Sequence, residues 1–166
     1  NFMEKRIDKD NYYLNIAETV AERSTCLRKK VGCVIVNHDE IISTGYNGAP
    51  RGRKNCDDLG FCYREQMDIP RGERYELCRS VHAEQNALIS ARRNDMIGAT
   101  LYLVLYNPET KKYEVGANSC QMCRKLIINS GIEKVIVREK NDKGFKVINV
   151  QEWIDNDDLL EGKLTY

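Results

Sequence analysis

Two short motifs constrain this chain more than anything else in it. Val81-His82-Ala83-Glu84 opens one stretch with helical patterning, Cys120-Gln121-Met122-Cys123 opens another, and a strand-like run lies between them. One imidazole and two thiolates make the donor set of a zinc ion with three protein ligands, whose fourth position stays free for water. Cys120 and Cys123 are three apart, so their thiolates face the same side of a first helical turn. The helix N-terminus favours their negative charge. For His82 to join them, the starts of the two helices must lie side by side.

The cysteine inventory supports metal over disulfides. There are 7 cysteines, an odd number, and nothing in the sequence reads as a secretory signal. No apolar run is long enough to span a bilayer, so the expected compartment is the reducing cytoplasm, where disulfides are rare. Lys plus Arg total 26 against 25 for Asp plus Glu. That balance gives no long-range field for a polyanion, which argues against a nucleic-acid partner and for a small substrate. A length of 166 residues suits one domain, residues 1–166, with a core that needs no disulfide staple. Met3 reads as the native start, with Asn1 and Phe2 foreign to it.

Periodicity places the elements. Tyr13, Ile16, Ala17, Val20 and Ala21 share one face of a helix over residues 10–23, with Asp10 as its cap. A β-branched strand at 31–36, a polar turn at 37–40 and a strand at 41–46 form a hairpin. Residues 47–77 form a long loop, which in a compact domain is functional or pinned. Helices at 82–93 and 120–130, the latter ended by Gly131, alternate with strands at 99–105 and 132–138. Residues 113–116 are expected to pair back on the strand before them. A strand at 146–150 and a helix at 151–160 close the chain. Alternation in the second half implies parallel pairing and an α/β fold with a mixed sheet between helical layers. The acidic tail, Asp155, Asp157, Asp158 and Glu161, reads as a solvated face.

The chemistry expected of the two motifs is hydrolytic deamination. Zinc brings the pKa of its bound water towards neutrality. Glu84, two residues from His82, is placed to pass a proton from that water to a ring nitrogen without ligating the metal. A His-x-Glu followed by Pro-Cys-x-x-Cys is the signature of zinc nucleobase deaminases. Taken alone, Cys120 and Cys123 equally suit a redox pair or half of a structural zinc site, and His82 a cap or core residue. Neither reading explains both motifs in this order.

With those residues in place, the chain resembles the cytidine deaminase-like superfamily and, within it, the deoxycytidylate (dCMP) deaminase family. The resemblance runs from about residue 7 to residue 138. Its pieces are Ser24-Thr25-Cys26, Lys30-Val31-Gly32, Thr44-Gly45-Tyr46-Asn47-Gly48-Ala49-Pro50, Cys78 with His82-Ala83-Glu84-Gln85-Asn86-Ala87, and Cys120-x-x-Cys123 with Ile127-Ile128-Asn129-Ser130-Gly131-Ile132. The resemblance implies a three-layer α/β/α sandwich around a mixed five-stranded sheet and conversion of dCMP to dUMP and ammonia. It also implies homo-oligomers, often hexamers, with allosteric control by dCTP and dTTP. One departure stands out: Ser119 replaces the family's usual Pro before Cys120, and residues 106–117 form a hairpin-like insertion. Ser119 is expected to cap the helix instead.

The resemblance places Asn47 on the sugar, although Asn-Gly is also a plain turn signal. Val31 is expected to line the base pocket, and Lys30 and Arg51 to hold the phosphate; each is also an ordinary strand or surface residue. Cys33 reads as a small core residue. Cys26, Cys56, Cys62 and Cys78 lie at loops or element ends, and some relatives carry a second, structural zinc in this region. A four-cysteine site would pin the long loop. Scattered free thiols are the alternative. Two functional alternatives stay open: a deaminase of another base, such as adenosine in tRNA, and a non-catalytic zinc or nucleotide-binding homologue.

Overall fold

The structure, a computed structural model, describes residues 5–114, 116–139 and 143–156. Asn1, Phe2 and Met3, and Asp157, Asp158 and Glu161 of the acidic tail, lie outside the described residues. Helix α1 (Lys9–Ala21) starts one residue earlier than its apolar face suggests. The cap is Asp8 rather than Asp10: its carboxylate accepts from Asn11 N at 3.0 Å. Strands β1 (Lys30–Asn37) and β2 (Glu40–Tyr46) form the expected hairpin.

The long loop is not structureless. It contains two single-turn helices, α2 (Cys56–Leu59) and α3 (Tyr63–Gln66), and a 3₁₀ turn at Tyr75–Leu77. Sequence periodicity cannot see helices of one turn. Next come α4 (Ala83–Ile89), α5 (Arg93–Met96), β3 (Thr100–Asn107) and the two-residue β4 (Lys112–Tyr113). The expected 82–93 helix therefore stops at Ile89, and a separate turn follows. The chain continues with α6 (Gln121–Ser130), β5 (Lys134–Arg138), β6 (Phe145–Asn149) and α7 (Val150–Asp155). Gly131 ends α6 with φ at 86°, a left-handed conformation that glycine adopts without steric cost.

The sheet runs β2-β1-β3-β5-β6, with β4 added to the end of β3. β3 and β5 are parallel and joined through α6, while the other neighbours are antiparallel. This is the mixed sheet that the alternation of elements requires. Side chains alternate between its faces. Val31, Cys33 and Ile35 of β1 join Leu101, Leu103, Leu105, Val135 and Val137 under Ala83 and Ala87 of α4 and Ile127 of α6. Val34, Val36, Tyr102, Val104 and Ile136 face Tyr13, Leu14 and Ala17 of α1 on the other side. Three layers result, and among the described residues α1 is the one helix on its face. Among the described residues no helix is long and apolar enough to cross a membrane.

Candidate active site

Two helix starts meet here. His82 is the N-cap of α4 and Cys120 the N-cap of α6. The His82 backbone N–H donates to Gln85 Oε1 at 2.9 Å, which fixes the entry to α4. The ring then turns its Nδ1 to 3.6 Å from Cys120 Sγ and 3.4 Å from Cys123 Sγ. The three donor atoms lie within 4.8 Å of one another, all on buried residues. The Tyr75 ring stands edge-on to the imidazole at 5.3 Å between centroids.

Glu84 is 1% exposed and sits in the first turn of the same helix. Both of its carboxylate oxygens are buried and lack a partner of hydrogen-bonding geometry. Burial pushes its carboxyl above the ordinary range; the charge of His82 pulls the other way, and so does the nearby Ser119 hydroxyl. The Cys120 thiol goes the opposite way, held down to about 4 by Cys123 and by His82. Cys123 is pushed up by its hydrogen bond with Cys120 and by burial, so the pair shares one proton between two sulfurs.

These residues fit zinc. The donor set is one imidazole nitrogen and two sulfurs, gathered from two helices, and one sulfur is already disposed to be a thiolate. An orphaned buried carboxylate costs stability, and such groups persist where they have a use. A cation beside Glu84 would supply that compensation. Ser119 is not the cap of α6. Cys120 holds that position, and the Ser119 carbonyl accepts from Arg124 Nε at 2.9 Å.

A cleft opens over His82 and Glu84. Val31 and Asn47 line it. Asn47 is also structural, since its Oδ1 accepts from Val31 N at 3.0 Å and its Nδ2 donates to Lys29 O at 2.9 Å. Lys30 and Arg51 do not line this cleft. Lys30 borders a separate depression with Glu18, Glu22 and Tyr113 on the α1 side, because strand alternation turns it away from Val31. Arg51 lies in a third depression, with Arg23, Tyr46 and Arg53.

The cations at the cleft are instead Arg28, Lys29, Arg64 and Arg71. Strand phase could have found Lys29, one step from Lys30, whereas Arg64 and Arg71 come from the long loop and carried no sequence signal. Cys26, Cys62 and Cys78 also line the cleft. Cys56 is close enough that, after burial, these three sulfurs contribute to raising its thiol pKa. The four do not close to ligand distance: among the described residues, His82, Cys120 and Cys123 form the one cluster that does.

Residues 7–139 match the family model described as the cytidine and deoxycytidylate deaminase zinc-binding region. The chain is 41% identical over 136 residues to the deoxycytidylate deaminase of Mycobacterium phage D29, covering 79% of this chain and 94% of that one. It is 35% identical over 127 residues to the Schizosaccharomyces pombe deoxycytidylate deaminase, covering 76% of this chain but only 36% of the yeast protein. Among solved structures it is similar to the dCMP deaminase of cyanophage S-TIM5 in complex with dCMP and dUMP. That match has a TM-score of 0.54 and 25% identity, over 84% of this chain and 87% of that one. A cytidine deaminase from Burkholderia pseudomallei shares the fold at 18% identity and a TM-score of 0.54, over 88% of this chain and 95% of that one.

Proposed function

Because the chain belongs to the cytidine and deoxycytidylate deaminase family, we propose that it is a zinc-dependent deaminase that converts dCMP and water to dUMP and ammonia. One observation carries this reading: the buried, unpartnered Glu84 carboxylate beside the His82–Cys120–Cys123 cluster at the floor of a cleft. His82, Cys120 and Cys123 hold the metal. When bound there, zinc makes water a competent nucleophile near neutral pH. Glu84 accepts a proton from the attacking water and delivers it to the ring nitrogen next to the amine-bearing carbon. It then takes the remaining proton from the added hydroxyl and gives it to the amine, so that the carbon–nitrogen bond breaks, the carbonyl forms and ammonia leaves. Val31 borders the base, and Asn47, already tied to the backbone of residues 29 and 31, offers its remaining hydrogen-bonding capacity to the sugar.

Ammonia release from dCMP, with CMP, deoxycytidine and dCTP alongside, tests this directly. Turnover of dCMP in preference to deoxycytidine supports it. No turnover by protein saturated with zinc, with and without dCTP, refutes it.

The same reading includes a second zinc on Cys26, Cys56, Cys62 and Cys78, supported by Cys26, Cys62 and Cys78 lining the cleft and by Cys56 lying near them. It also includes homo-oligomers, with a hexamer favoured, dCTP and dTTP as effectors, and a cytoplasmic location. These rest on the family resemblance. Solution mass and turnover with each nucleotide added check the assembly and its control.

A further inference from the structure

Four cations border the cleft, but they are not equally available to a ligand. Arg28 is held by Glu65 at 2.7 Å. Arg64 is 4% exposed; its guanidinium donates to Pro70 O at 2.9 Å and Glu73 O at 2.7 Å and lies over the Tyr75 ring. It is committed to holding the long loop.

Lys29 and Arg71 are different. Both meet a single carboxylate, that of Glu114, at 3.8 Å from Lys29 Nζ and 3.4 Å from Arg71. These are the two longest ion pairs among the described residues. Glu114 arrives from the insertion, just beyond β4. Its backbone N–H donates to Leu105 O at 3.0 Å, which fixes where the carboxylate can reach. One carboxylate thus straddles two cations that come from the start of β1 and from the long loop. A phosphate monoester matches that position with more charge and three oxygens to share between them.

We propose that Glu114 is a specificity-determining side chain that bridges Lys29 and Arg71 at the phosphate-binding position, and that the 5′-phosphate of the nucleotide displaces it. The inference rests on the deaminase reading and assigns that site's anion-binding residues. A nucleoside has no group that can evict Glu114, so it gains nothing from either cation. The displaced carboxylate swings to solvent, where its desolvation cost is recovered. Arg71 is half exposed, so the exchange needs no opening of the core.

The test separates this from the reaction itself by using inorganic phosphate, measured by calorimetry at pH 7 on the zinc-loaded protein. Glu114→Gln keeps the shape and removes the competing charge. It should tighten phosphate about three- to tenfold and lower KM for dCMP by a similar factor, with KM for deoxycytidine unmoved. Lys29→Met and Arg71→Met should each weaken phosphate and raise KM for dCMP. Unchanged or weaker phosphate binding by Glu114→Gln overturns the proposal, as does an equal fall in KM for deoxycytidine, which would make Glu114 an obstacle to the base or sugar. Absence of any dCMP turnover would sink the deaminase reading while leaving the phosphate titration to judge Glu114. A thermal melt of each variant confirms that it is folded.

Discussion

Gly45 of β2 lies directly beneath Ala87 of α4. A Cβ on Gly45 would stand 2.5 Å from Ala87 N and 2.3 Å from Ala83 O. The helix that carries His82 and Glu84 therefore rests on bare backbone. Gly32 does the same for α1 on the opposite face, where a Cβ would come 2.1 Å from Ala17 O. The contacting atoms are backbone, so neither side can yield by changing a rotamer. Gly45→Ala should cost about 1–3 kcal/mol or more of stability and lift α4 away from α6. Denaturant unfolding reads the first effect and zinc content the second. Gly32→Ala should cost as much stability while sparing zinc retention, because α1 carries no ligand.

Glu84→Gln separates chemistry from metal binding. The amide cannot carry the proton, so kcat for dCMP should fall by about two to four orders of magnitude, while zinc stays at wild-type content because Glu84 is not a ligand. Both carboxylate oxygens are buried without a partner. Replacing that charge with an amide should therefore hold or raise the melting temperature, the usual trade between stability and activity at a working site. Wild-type turnover in the variant would remove Glu84 from the mechanism.

Metal stoichiometry distinguishes the two cysteine groups. His82→Ala and Cys123→Ala should lose one zinc per chain together with all activity. Chelation of the wild type should abolish activity reversibly. If the second site exists, Cys78→Ser should lose a different zinc and mainly lower stability, since a closed structural site contributes to folding. A wild-type content of one zinc per chain would leave Cys26, Cys56, Cys62 and Cys78 as free thiols lining a loop.

How far the sequence could be read depended on the kind of signal. The zinc cluster was legible because His82 and the Cys120–Cys123 pair sit at helix starts, where short-range pattern and chemistry coincide. The sheet was legible because β1 and β3 are continuous apolar runs, with burial on both faces. The ion pairs at the cleft were not, because Arg71 from the long loop and Glu114 from the insertion meet each other and Lys29 through contacts of long sequence separation. Arg138 was equally invisible. It ends an apolar strand yet is 1% exposed, held by Glu18 and Asn15 at 2.9 Å each and by Asn11. A polar spine between α1 and β5 cannot be read from apolar periodicity. Arg138→Leu should cost about 3–5 kcal/mol, the penalty for stranding buried partners, as measured by denaturant unfolding, with KM for dCMP unchanged.

The protonation of Lys29 gives the nucleotide site a basic limb. Burial holds its ammonium down to about 8. Glu114 and Cys26 act to raise it, Arg71 and Arg28 to lower it. Below that pH Lys29 is charged and attracts the phosphate, which is itself mainly dianionic above about pH 6. Above it Lys29 is neutral, and Arg71 holds the phosphate alone. KM for dCMP should therefore be lowest near pH 7 to 8 and rise beyond, by up to about tenfold per pH unit while one group titrates. KM for deoxycytidine should not follow. The ratio of the two cancels any titration at the metal or at Glu84, which both substrates share. Lys29→Met should start from a high KM and show no rise. Glu114→Gln removes the group that most supports the charged form, so the inflection should move to lower pH. A rise of equal size for deoxycytidine would place the titrating group among the residues that hold the base.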